Sequence, residues 1–159
     1  MNPKPKPGRR NSNVHLEASR FAALAEVRSV YAELAGRPIE RNCTLRTECC
    51  HFKLTGLTPY LTKGEALVAA KGVRAAGRKA LPDRIDGACP LLNARTGRCM
   101  IYADRPFGCR THFCPAAGGP YARSEVIDLI RRLEKTDADL GGDGARMLPG
   151  AVADALEEI

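Results

Sequence analysis

The sequence predicts a mainly α-helical fold with irregular cysteine-rich loops and one short β-hairpin, in a small single domain. Three observations lead there. Apolar residues recur at helical spacing near both ends of the chain and once in the middle. The stretches between these helices have no period and hold all seven cysteines. The length, 159 residues, suits one domain, and with no Trp and 5% aromatics the apolar content rests on Ala, Leu and Val.

The elements follow in order. Residues 14–35 carry Leu24, Val27, Tyr31 and Leu34 at helical spacing, with Leu16 and Phe21 extending the stripe. Asn13 is placed to cap this helix, and Gly36 followed by Pro38 to stop it. A second helix starts at TKGE, where Thr62 and Glu65 fit a capping box, and runs to about Ala76 with Ala66, Leu67, Ala70 and Val73 on one side. Gly64, Gly72 and Gly77 weaken it, so it depends on packing. In ACPLLNARTGRCMIY, apolar runs at 89–92 and 99–102 flank NARTG, the turn chemistry of a hairpin. DRPFGCRTHFCP returns to loop, with one helical turn around Arg105 to Gly108. Residues 124–138 form an amphipathic helix capped by Ser124. GGDG at 141–144 is a flexible break, and Pro149 opens a short closing helix. The chain thus divides into a tail (1–12), a cysteine-cluster domain with flanking helices (13–140), and the break with its closing helix (141–159).

Net charge is +7, and MNPKPKPGRR supplies four of those charges with no acid. Its prolines block helix, so residues 1–12 read as a disordered basic tail, a solubilising end rather than a nucleic-acid arm. No apolar run reaches membrane-spanning length, and no apolar segment follows the basic start as in a secretory signal. A cytoplasmic protein with reduced thiols is expected.

The cysteines are Cys43, Cys49, Cys50, Cys89, Cys99, Cys109 and Cys114, and neither long flanking helix holds one. Disulfides would leave an odd thiol in a reducing compartment. Burial as small hydrophobes does not explain seven thiols in loops beside Pro, Gly and Arg. Metal does: thiolates suit zinc or an iron–sulfur cluster, and a small chain gains folding energy from it. His51 and His112, each within two residues of a cysteine, are further candidate ligands. Arg105 and Arg110 flank Cys109, where cations offset the negative charge of clustered thiolates. No CxxC pair of a zinc ribbon occurs, and no CxxCxxC run of bacterial ferredoxins.

Taken in order, CTLRTECC, PYLTKGEA, CPLL, CMIYADRPFGCR and HFC resemble the CxxCxxCC family, the zinc- or iron-chelating domain of YkgJ-like cysteine cluster proteins. The most specific phrase, C-x-I-Y-x-x-R-P-x-x-C-R, is intact from Cys99 to Arg110, whereas Arg46 stands where the family pattern has a cysteine. A guanidinium cannot ligate a cation, so one ligand of that motif is missing. The resemblance implies metal chelation and no single reaction.

The leading expectation is therefore a small metal-binding protein holding an iron–sulfur cluster or zinc, with a metal-organised fold. The alternatives are a cluster-dependent redox or methyl-transfer enzyme and a zinc-organised nucleic-acid-binding module. The last is disfavoured by the scarcity of stacking aromatics. No phosphate-binding loop, dinucleotide fingerprint or nucleophile elbow is present to name a reaction.

Overall fold

A computed structural model describes residues 9–38, 41 and 46–159. The protein is mainly helical, with irregular cysteine-bearing loops and short antiparallel pairing, as the sequence predicts. Cys43 and the first eight residues of the basic tail lie outside the described residues.

Helix α1 spans Arg9–Gly36, starting five residues before the expected start, so residues 9–12 are helical instead of part of a disordered tail, and Asn13 lies inside the helix and does not cap it. Its second half buries Leu24, Val27, Val30, Tyr31 and Leu34. Leu16 and Phe21 do not extend that stripe: they are 60% and 77% exposed. Phe21 lies about 120° round the helix from Val27, off the buried stripe, and for Leu16 the reason is length. At 28 residues α1 runs about 42 Å, well past its 17-residue neighbour α5 (Arg123–Asp139). The α1–α5 seam is laced by Arg132, whose guanidinium donates to Glu26 at 2.7 Å and Glu33 at 2.5 Å, and by Arg37 with Asp128.

Two single-turn pieces precede the central helix: a 3₁₀ turn at Glu48–Cys50 and helix α2, Phe52–Thr55. The central helix α3, Lys63–Ala75, is covered on nearly all sides, with Gly64 to Ala70 and Gly72 and Val73 all buried. It lies among α1, α5 and the C-terminal helix α6, Leu148–Glu158, which explains why Val68 and Ala69 are as buried as the expected face. Two of its glycines are points of close approach. A Cβ at Gly64 would stand 2.9 Å from Val27 Cγ2 on α1 and 3.1 Å from Thr136 Cγ2 on α5. One at Gly72 would stand 3.1 Å from Ile101 Cγ2 and Asp104 Oδ2, where the 3₁₀ turn Tyr102–Asp104 crosses.

The named strands pair across the chain: β1 (Tyr60–Leu61) runs antiparallel to β2 (Arg146–Met147), with Tyr60 opposite Met147. The hairpin expected over 89–102 is a tight turn with a single antiparallel bridge, Leu92 to Cys99. Asn93 Oδ1 accepts the N–H groups of Arg95 (2.9 Å) and Thr96 (3.1 Å), and Gly97 takes φ +65°, so the turn closes as its residues dictate. Helix α4, Phe107–Thr111, overlaps the turn expected at Arg105 to Gly108 and starts two residues later. Helix α5 is entered through Ala122, whose N–H donates to Glu125 at 2.7 Å, and Ser124 lies inside the first turn instead of capping it. Residues 141–144 are tied down by buried Asp137, which accepts from Gly144 N–H at 3.0 Å and from Lys63 N–H at 2.6 Å. No helix among the described residues is long and apolar enough to cross a membrane.

Candidate metal centre

Four separate segments bring cysteines to the wall of one cavity of about 540 Å³. The 3₁₀ turn at 48–50 contributes Cys49 and Cys50, the loop after α3 Cys89, the tight turn Cys99, and α4 Cys109. Backbone bonds stitch these segments together: Cys89 N–H donates to the Cys50 carbonyl at 2.6 Å, and Met100 N–H to Leu91 at 2.9 Å. Phe52, Leu57, Pro59, Leu91, Pro106 and Leu148 give the same cavity apolar walls.

Glu65 holds α4 against the helical core. It is buried, and Oε2 accepts the N–H of Thr62 at 3.0 Å and its hydroxyl at 2.9 Å, the expected capping box. Oε1 reaches further: it accepts Phe107 N–H at 2.9 Å, the first residue of α4, and the Tyr31 hydroxyl at 3.4 Å. Burial raises the Glu65 pKa, and these hydrogen bonds pull it back. Sequence reasoning found the cap and missed the bond to α4. Only the placement of a carboxylate in a buried first turn could have hinted at it.

The other predicted residues divide clearly. His112 lines the cavity, and His51 does not. Cys114 also lies outside the cavity wall, at the head of the 3₁₀ turn Pro115–Ala117, where its carbonyl accepts from Ala117 and Gly119. Arg105 lines the cavity with its guanidinium over the Tyr102 ring at 4.1 Å, and its charge favours the thiolates of Cys49, Cys99 and Cys109. Its buried Nε has no hydrogen-bond partner among the described residues. Arg110 is engaged elsewhere: it donates to the carbonyls of Arg105 (2.7 Å) and Ala103 (2.6 Å) and stacks on Tyr31 at 4.1 Å. Arg46 and Arg98 also line the cavity, and Arg98 was not singled out in the sequence.

The thiols titrate as burial and neighbours require. Burial pushes Cys109 up to about 12, Cys89 up to about 11, and Cys99 upward. Cys49 and Cys50 share a side-chain hydrogen bond that lowers the first and raises the second.

The donor set suits a soft metal group: five thiols and one imidazole line the cavity, with no carboxylate among the described lining residues. The unpartnered Arg105 Nε fits a negatively charged occupant in the same cavity. Among the described residues, no three Cys, His, Asp or Glu side chains stand close enough to grip a single ion as they are.

A search of curated proteins and a search of solved structures each find no match to the chain. A family model described as "CxxCxxCC: Putative zinc- or iron-chelating domain" matches residues 41–131, more than half of the chain and all the cavity cysteines. The chain belongs to the CxxCxxCC family.

Proposed function

We propose that the protein holds an iron–sulfur cluster in the cysteine cavity, with Cys49, Cys89, Cys99 and Cys109 as ligands and Cys50 in reserve. The observation that carries this is that five cysteines from four segments line one largely apolar cavity of about 540 Å³. Four donors complete either a single zinc or a cubane cluster. Cysteines that line one cavity without three of them meeting at a point, among the described residues, suit a group with several metal atoms better than a single ion.

Each chain element has a part in this. The backbone bond from Cys89 to Cys50 sets two ligand segments side by side. Glu65 sets the position of α4, and with it Cys109. Arg105 offers positive charge to the thiolates, and buried Leu91, Pro106 and Leu148 back the site with apolar surface. Bound there, a cluster would supply electron storage or a Lewis-acid iron, and it would bind the loops to the helical core. His112 is the histidine that can take a ligand position if a fourth sulfur is withheld.

Purification without air tests the proposal. The expected result is a brown protein containing iron and acid-labile sulfide, with visible absorbance that bleaches on dithionite addition. A colourless protein with stoichiometric zinc overturns the cluster and keeps chelation.

A further inference from the structure

Arg105 and Arg110 bear on the cysteine cavity in different ways. Arg105 lines it, with its guanidinium over the Tyr102 ring at 4.1 Å and its buried Nε without a partner among the described residues. Its positive charge acts on Cys49, Cys99 and Cys109, while the carboxylate of Glu48 acts on Cys49 in the opposite sense. Arg110 is not among the lining residues. It grips the backbone of Arg105 instead: Nε donates to the Arg105 carbonyl at 2.7 Å, and Nη2 to the Ala103 carbonyl at 2.6 Å.

That grip is anchored in the helical core. The Arg110 guanidinium lies over the Tyr31 ring at 4.1 Å, and Tyr31 is a buried residue of α1 whose hydroxyl donates to buried Glu65 at 3.4 Å. Fully buried Pro106 follows Arg105, which takes the extended backbone that a following proline favours, φ −60° and ψ 144°. With its carbonyl held by Arg110 and Pro106 fixed beyond it, Arg105 projects its side chain from a set backbone. A lysine at position 110 would keep the charge. Its ammonium lacks the planar fork that can bond two carbonyls while stacking on a ring.

We propose that Arg110 is a positioning residue that holds the Arg105 guanidinium at the cysteine cavity, and so sets how tightly the metal is kept. The two arginines are then not equivalent counter-charges: Arg105 supplies the charge, and Arg110 acts through it. The inference rests on the metal-centre reading.

Competition with a chelator, measured on metal-loaded full chains, tests it with Arg105→Gln, Arg110→Lys and the double variant. Arg105→Gln should weaken metal retention about tenfold. Arg110→Lys should weaken it about as much, and the double variant no more than Arg105→Gln alone, because both changes remove one interaction. An Arg110→Lys protein that keeps metal like the parent would make Arg110 a plain counter-charge. Losses that multiply to about a hundredfold in the double variant would make its role a general structural one. Either result overturns the proposal, as does an Arg105→Gln protein with undiminished retention. A second measurement needs no variant. Through-hydrogen-bond NMR coupling from the Arg110 Nε–H to the Arg105 carbonyl is expected in the zinc-loaded or metal-free wild type, and its absence overturns the grip even where Arg110→Lys fails to fold. A wild type that takes up no metal under any condition sinks the metal-centre reading, and the same coupling then decides whether Arg110 holds Arg105.

Discussion

Glu65 carries four hydrogen bonds inside the protein, from Thr62 (two), Phe107 and Tyr31, and has no water to replace any of them. Removing it orphans donors on three elements at once, and an unsatisfied buried donor is expensive. Glu65→Ala should destabilise the fold by about 3 kcal/mol in denaturant unfolding. Because Phe107 opens α4, the same variant should also retain less metal than the wild type, as read by elemental analysis. A variant that unfolds and binds metal like the parent would show that α4 is held by something else. The cysteines separate at this scale too. Cys109 lines the cavity and Cys114 does not. Cys109→Ser should lose most of the bound metal, whereas Cys114→Ser should keep it; equal loss from both would place Cys114 among the ligands.

The helices were readable from periodicity, and the reasons the remainder was not differ from element to element. Leu24, Val27, Tyr31 and Leu34 form the buried stripe of α1 as their spacing requires. Leu16 shares the periodicity but is exposed, because periodicity says nothing of how far the partner helices extend, and Phe21 lies about 120° round the helix from Val27. The β1–β2 pairing joins residues 60–61 to 146–147, a long-range contact with no local signal. At the site, cysteine clustering revealed the donors, but which histidine faces the cavity depends on where α2 and α4 point, and no spacing rule contains that. The weak helix propensity of α3 is explained by geometry: its glycines buy close approach. Val27 is fully buried and stiff at χ1, so it cannot retreat from a Cβ at Gly64. Gly64→Ala gains about 1 kcal/mol of helix propensity and loses more to overpacking. The expected net change is a loss of roughly 1–2 kcal/mol, measured as a lower denaturant midpoint. A stabilised variant would mean that α1 and α5 can slide apart there.

Across the whole molecule, the cavity joins four irregular segments to a helical core, so metal and pH should act on stability together. In the metal-free protein, Cys89 and Cys109 sit above the ordinary thiol value of 9.0, at about 11 and about 12, because burial disfavours their thiolates. Their neutral forms therefore stabilise the fold fully below about pH 9, and that stability is lost as pH rises toward 11–12. Cys99, raised by burial, adds to the same loss, while Cys49, lowered by its bond from Cys50, acts in the opposite direction as pH falls. In the loaded protein the ligand sulfurs are already deprotonated, so the alkaline loss is absent, and protons compete for the ligands on the acid side instead. Denaturant midpoints measured across pH on both forms should give opposite slopes, the loaded form gaining on the metal-free form as pH rises. Buried Tyr31 and Glu65 titrate in both forms and largely cancel from the difference. Parallel profiles would mean that the cavity thiols do not exchange protons for metal.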